Sequence, residues 1–166
     1  MAGLVLKLGP NERVLINGVV MENGDRKTTL KIMTPNASIL RLRDALHPEQ
    51  ANTPVTRAYY AAQLVVAGSV EAAEAGPELA SMLGALATAF APLAEGAAVL
   101  EAQAQLEKGR YYSVMRALKP LIEVEARLLA LASGGGDDAA FDVPLDLRRL
   151  EHRLLLLLLG LLDVAI

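Results

Sequence analysis

The side chains able to do acid–base, nucleophilic or metal chemistry are few and scattered. His47 and His152 are the two histidines, and neither sits in a ligand pattern such as H-E-x-x-H. Each reads as an ordinary loop or helix-surface histidine. Cysteine is absent, which removes thiol catalysis, disulfides and thiolate metal sites. Ser38, Ser69, Ser81, Ser113 and Ser133 lie in no G-x-S-x-G elbow and have no adjacent base. Gly24-Asp25-Arg26-Lys27-Thr28 looks like a phosphate loop, yet it lacks G-x-x-x-x-G-K-[ST] and falls between strand patterns, so a hairpin turn is expected. Asn36-Ala37-Ser38 spells a glycosylation sequon without an export signal, and Asp137-Asp138 lacks the rest of a calcium loop. These residues predict no enzyme, no cofactor and no metal site.

The remaining chemistry is cationic. Lys7, Lys27, Lys31, Arg41 and Arg43 fall within the first 46 residues, and lysine and arginine are the side chains that bind nucleic-acid phosphates. Any one of them on a small sheet is most simply part of a solvated face. The case for RNA rests on all five within one β unit. Alternation places Lys27, Thr29 and Lys31 on one face, and Arg41 and Arg43 on one face of their strand. No Phe, Trp or Tyr occurs in residues 1–57, which excludes base stacking of the RRM kind. Recognition would use strand edges, backbone groups and arginine.

The elements that must position these cations are short strands. Leu4–Leu8, Val14–Ile16, Val19–Glu22, Arg26–Met33 and Ser38–Arg43 read as five of them. The turns between them are Gly9-Pro10-Asn11, Asn17-Gly18, Asn23-Gly24 and Thr34-Pro35-Asn36. Residues 1–46 thus form a small antiparallel sheet or partial barrel, marginal by itself. Residues 47–57 read as a linker, because His47-Pro48 and Thr53-Pro54 disfavour helix at the residue before each proline. Residues 58–132 turn helical: Ala58–Ala67, capped by Thr53 or Thr56 and ended by Gly68, then Pro77–Ala94, Ala97–Lys108 and Tyr111–Ala132. In the last of these, Val114, Leu118, Leu121, Ile122, Glu125, Leu128 and Leu129 share one stripe. The fold class is therefore α+β, a β unit followed by a helical bundle.

Beyond that lie a Gly-rich linker over residues 133–145 and a Leu-rich helix over 146–166. The leucines of the helix fill its whole circumference, which predicts an oligomerisation or lid element. Its longest apolar run, residues 154–162, is far short of the ~20 residues that cross a bilayer. The N-terminus lacks a signal peptide's apolar core, because Lys7 interrupts it. Mean hydropathy of +0.33 reflects abundant alanine and leucine, so no membrane association and a cytoplasmic location are expected.

Charge divides the 166 residues unevenly. The chain carries a net −3, yet residues 1–57 hold eight Lys and Arg against five acids, and the rest is acidic. Such asymmetry predicts two parts with different partners. Too small a core and exposed sheet edges predict a homodimer or higher homo-oligomer.

Three blocks of sequence resemble one family. Leu4 to Gly18, then Asn23-Gly24-Asp25-Arg26 and Thr34 to Arg41, are similar to the FlbT family of alphaproteobacterial flagellar regulators. The similarity continues through Ala51-Asn52-Thr53-Pro54, the Tyr59-Tyr60 helix, Gly109-Arg110-Tyr111-Tyr112 and Glu125 to Leu129, so it covers about Leu4 to Leu131. The resemblance implies a post-transcriptional regulator that binds the 5′ untranslated region of flagellin mRNA and controls its translation and stability. It also brings in FlaF as functional counterpart. A competing reading makes the chain a protein-binding adaptor that holds flagellin or FlaF through its helices. A fainter likeness, in the Gly-x-x-Glu turn and the late arginine strand, is to the carbon storage regulator family of RNA-binding β dimers. Its RNA-contacting positions match Leu4 to Lys7 and Arg41 or Arg43, with Lys7 alone where that family has an arginine pair.

Overall fold

A computed structural model describes residues 4–35 and 37–132. The Gly-rich linker and the Leu-rich C-terminal helix expected from the sequence lie outside the described residues. The order of elements is β1 (Leu4–Leu8), β2 (Arg13–Ile16), β3 (Val19–Glu22), β4 (Thr28–Ile32), β5 (Ile39–Arg41), α1 (Pro54–Val66), α2 (Ala72–Phe90), α3 (Gly96–Glu107) and α4 (Tyr111–Ala132).

The α+β architecture is as expected, with the β unit split into two small antiparallel sheets. One is the ribbon β1-β4, the other has the order β3-β2-β5. Alternation decides their packing, since successive side chains point to opposite faces. Leu6 and Leu8 of β1 turn inward and meet Val14, Ile39, Ile16, Leu30 and Ile32 in a first core. The neighbours Leu15 and Leu40 point the other way and join the helical core. The sheet β3-β2-β5 is thus the middle of three layers, with the ribbon on one face and the helices on the other. This supplies the cover that so small a sheet needs.

Two turns follow directly from their residues. Asn17 and Gly18 have φ of 49° and 79°, the paired positive values of a type I′ hairpin between β2 and β3. Asn23-Gly24, read from sequence as another hairpin turn, is instead a crossing between sheets. Here Gly24 is not among the positive-φ residues. The Asn23 amide nitrogen donates to the carbonyls of Gly9 (2.6 Å) and Arg26 (2.7 Å), and its backbone N–H donates to Glu12 O (2.9 Å). β3 ends against β2, and β4 then pairs with β1. The five residues Gly24 to Thr28 are this crossing and the start of β4.

Further shifts concern ends of elements. β5 stops at Arg41 and a 3-10 turn covers Leu42–Asp44, so Arg43 is not on a strand. The linker expected over residues 47–57 is largely structured, with a 3-10 turn at Pro48–Gln50 and α1 beginning at Pro54 rather than Ala58. Proline at the first helical position is tolerated, because its missing N–H would have had no helical partner. Thr53 stays extended and caps the helix from its side chain. α2 starts at Ala72 and contains Pro77.

The helices form a bundle in which α1 packs on α4 and α2, and α3 packs on the same two. Leu79, Leu83, Val99, Val114 and Leu118 are fully enclosed. The α4 stripe is buried only as far as Glu125, while Leu128 and Leu129 are exposed. A buried amide ties α1 to the loop that follows the Leu42–Asp44 turn: Gln63 of α1 accepts from Leu46 N (2.7 Å) and donates to Leu46 O (3.0 Å).

Candidate nucleic-acid interface

The ribbon builds a cationic outer face. In the β1–β4 register Lys7 stands opposite Thr29 and Val5 opposite Lys31, and directly opposed residues share a face. Val5, Lys7, Thr29 and Lys31 therefore cover the side of the ribbon turned away from the core, and all four are exposed. Lys27 lies just before β4 and is exposed as well. No carboxylate among the described residues forms an ion pair with Lys7, Lys27 or Lys31.

The two arginines are placed differently. Arg41 stands opposite Val14 on the inner side of the middle sheet. Its guanidinium reaches across to β1, donating to Lys7 O at 3.1 Å and to the Glu12 carboxylate at 2.7 Å. The side chain is only 19% exposed. Arg41 thus ties the two sheets together, and little of its side chain is open to a ligand. Arg43 approaches the same Glu12 oxygen at 3.6 Å, with its side chain 63% exposed. The structure brings Lys7, Arg41 and Arg43 to one end of the β unit, with Lys31 farther along the ribbon.

Glu12 is the residue that sequence reasoning left out. Its second oxygen accepts from Gly9 N at 2.7 Å, closing the turn between β1 and β2. That backbone donor foremost holds its carboxyl below the usual carboxylate range; burial opposes it, and the Arg41 and Arg43 guanidinium groups add to the lowering. The signal was present as the Gly-x-x-Glu spacing of Gly9 and Glu12.

A second polar assembly is structural. Glu125 on α4, 6% exposed, accepts from Thr53 Oγ1 (2.5 Å) and from Val55 N (2.9 Å). A carboxylate thereby sits on the positive N-terminal end of α1. Two sequence blocks about seventy residues apart, Thr53-Pro54 and Glu125, turn out to be one contact.

On the helical side, a concavity of about 370 Å³ opens between the 3-10 turn, α1 and α4, lined by Asp44, Tyr59, Tyr112, Arg116, Lys119 and Glu123 among others. Tyr59 donates to Asp44 O at 2.7 Å. Burial, then the nearby Asp44 and Tyr112, pushes its phenol up to about 12. Among the described residues no three His, Cys, Asp or Glu gather as a metal site, and no helix is long and apolar enough to cross a membrane.

Fold and site together define an α+β protein whose accessible chemistry is a cationic β face, with its buried carboxylates engaged in holding elements together. The family model described as "Flagellar protein FlbT" matches residues 4–129, and the chain belongs to the FlbT family. That is a family of flagellum biosynthesis regulators. The flagellum biosynthesis repressor protein FlbT of Caulobacter vibrioides is 31% identical over 143 residues, covering 82% of this chain and 98% of its own length. A probable flagellum biosynthesis repressor protein FlbT of Brucella ovis is 29% identical over 128 residues, covering 75% of this chain and 80% of its own. No solved structure matches the chain.

Proposed function

We propose that the chain is a cytoplasmic post-transcriptional repressor of flagellum biosynthesis. In this reading it binds the 5′ untranslated region of flagellin mRNA and thereby sets translation and stability of the message. The observation that carries it is the outer face of the β1–β4 ribbon, where Lys7 and Lys31 are exposed, share one side and pair with no carboxylate among the described residues. Such cations bind phosphates by releasing condensed counterions, with few existing pairs to break. Arg43, exposed beside Glu12, is a further cation of the β unit. The names of the relatives support repression in flagellum biosynthesis. Electrophoretic mobility shift with a flagellin leader and a scrambled leader tests the reading. Retardation of the native leader at lower protein concentration is expected, and equal or absent retardation of both defeats it.

A second reading, an adaptor for flagellin or FlaF, draws on the helical side. There the concavity beside α4 presents Tyr112, 44% exposed, next to Arg116 and Lys119. Exposed tyrosine beside arginine is the composition of protein-binding hot spots. Y112A would weaken capture of such a partner without changing leader retardation.

A further inference from the structure

We propose that Glu12 is the positioning residue of this interface: its carboxylate locks Arg41 as an internal strut and holds Arg43 as the exchangeable cation that an RNA phosphate takes over. The proposal rests on the RNA reading above.

Both arginines share one carboxylate oxygen, yet on unequal terms. Arg41 makes a 2.7 Å bond to it and a second to Lys7 O. Releasing it would break two bonds and loosen the ribbon from the middle sheet. Arg43 has only the 3.6 Å contact and is mostly in water, and exposed pairs of this kind are weak. A phosphate oxygen offers a guanidinium the same geometry as a carboxylate oxygen, so the exchange falls on Arg43.

Glu12 itself cannot swing aside when a phosphate arrives, because Gly9 N holds its other oxygen at 2.7 Å. Its charge therefore stays beside Arg43 and opposes the incoming phosphate. A lone anion gains little there. A phosphate on a strand that also reaches Lys7 and Lys31 gains enough to win. Glu12 thus lowers affinity for any anion and favours a polyanion that matches the ribbon.

The test is fluorescence anisotropy of a labelled flagellin leader RNA with the full chain across a salt series. E12Q keeps an amide oxygen for Gly9 N or Arg41 and removes the charge. It is expected to bind RNA about two- to fivefold tighter, the size of one exposed charge interaction. In an R43A background the same change should bring no gain. Wild-type protein supplies a second measurement should E12Q not fold: on adding RNA, the Arg43 Nε resonance should move in a 15N spectrum while that of Arg41 stays. If wild type does not bind the leader, the RNA reading and this proposal fall together. If it binds but E12Q is unchanged, gains equally without Arg43, or Arg41 alone responds, the role of Glu12 is refuted and the RNA reading stands.

Discussion

Replacing Glu125 by alanine tests whether the helical bundle depends on a carboxylate placed at the start of α1. The side chain is 6% exposed and receives two hydrogen bonds, from Thr53 Oγ1 and from Val55 N. Hydrogen bonds to a charged group contribute about 1.5–3 kcal/mol each, and the two are not additive. Alanine also leaves the Val55 N–H, enclosed by the core, without an acceptor, and removes a negative charge from the helix N-terminus. Together these set the loss at about 3 kcal/mol. For a chain of this length that lowers the melting temperature by about 6–12 °C. E125Q retains an oxygen for Val55 N and loses the charge, so about 1–1.5 kcal/mol is expected. Urea unfolding followed by circular dichroism measures both, and a cycle with T53A should show coupling of about 1 kcal/mol or more. An E125A cost under about 1 kcal/mol, or full additivity with T53A, would refute the reasoning.

The remaining predictions separate the two arginines, titrate Tyr59 and test assembly. R43A and the pair K7A/K31A should each weaken leader binding and reduce the salt slope, by about one unit for each phosphate left without its cation. R41A should instead destabilise the β unit, seen as a lower unfolding midpoint with a nearly unchanged slope; a larger slope change for R41A than for R43A would reverse these roles. Tyr59 ionises only near pH 12 in the folded chain and near 10 when unfolded, so the folded state keeps a proton the unfolded state loses. Its stabilisation is complete below pH ~10 and is lost as pH rises towards 12. Y59F should therefore show a flatter decline of stability across that window, and an identical decline would contradict the burial of this phenol. Finally, β1, β4 and the outer strands β3 and β5 leave edges unpaired within the described residues, and a light-scattering mass above that of one chain is expected; a single-chain mass at micromolar concentration would oppose it.

Local chemistry made much of this legible in the sequence. Asn17-Gly18 turns because both residues accept positive φ, and Gly109 ends α3 at φ 67° for the same reason. Leu4–Leu8 read as a strand because of its apolar run, and Lys27, Thr29 and Lys31 fell on one face by period-2 alternation. Thr53 was one of two candidate caps and is the one used, although the helix begins at Pro54 directly after it rather than at Ala58. Each of these depends on residues within a few positions of one another, which is why a linear reading reached them. Glu125 was legible only as one position of the stripe on α4.

What lay beyond the sequence was the meeting of distant groups. Asn23-Gly24 spells a hairpin as well as Asn17-Gly18 does. Only the carbonyls of Gly9 and Arg26 around the Asn23 amide make it a crossing between sheets. Arg41 and Arg43 are two residues apart and looked equivalent. Tertiary structure separates them, because one lies between the sheets against Glu12 and Lys7 O while the other follows the strand into solvent. Glu125 gained a partner only when α4 packed against the start of α1. Sequence by itself determined which kinds of element form in which order and that the N-terminal part is cationic, since propensity and charge are local. Which cations stay available and which are consumed was decided by tertiary packing, because a carboxylate selects its partners by distance in space.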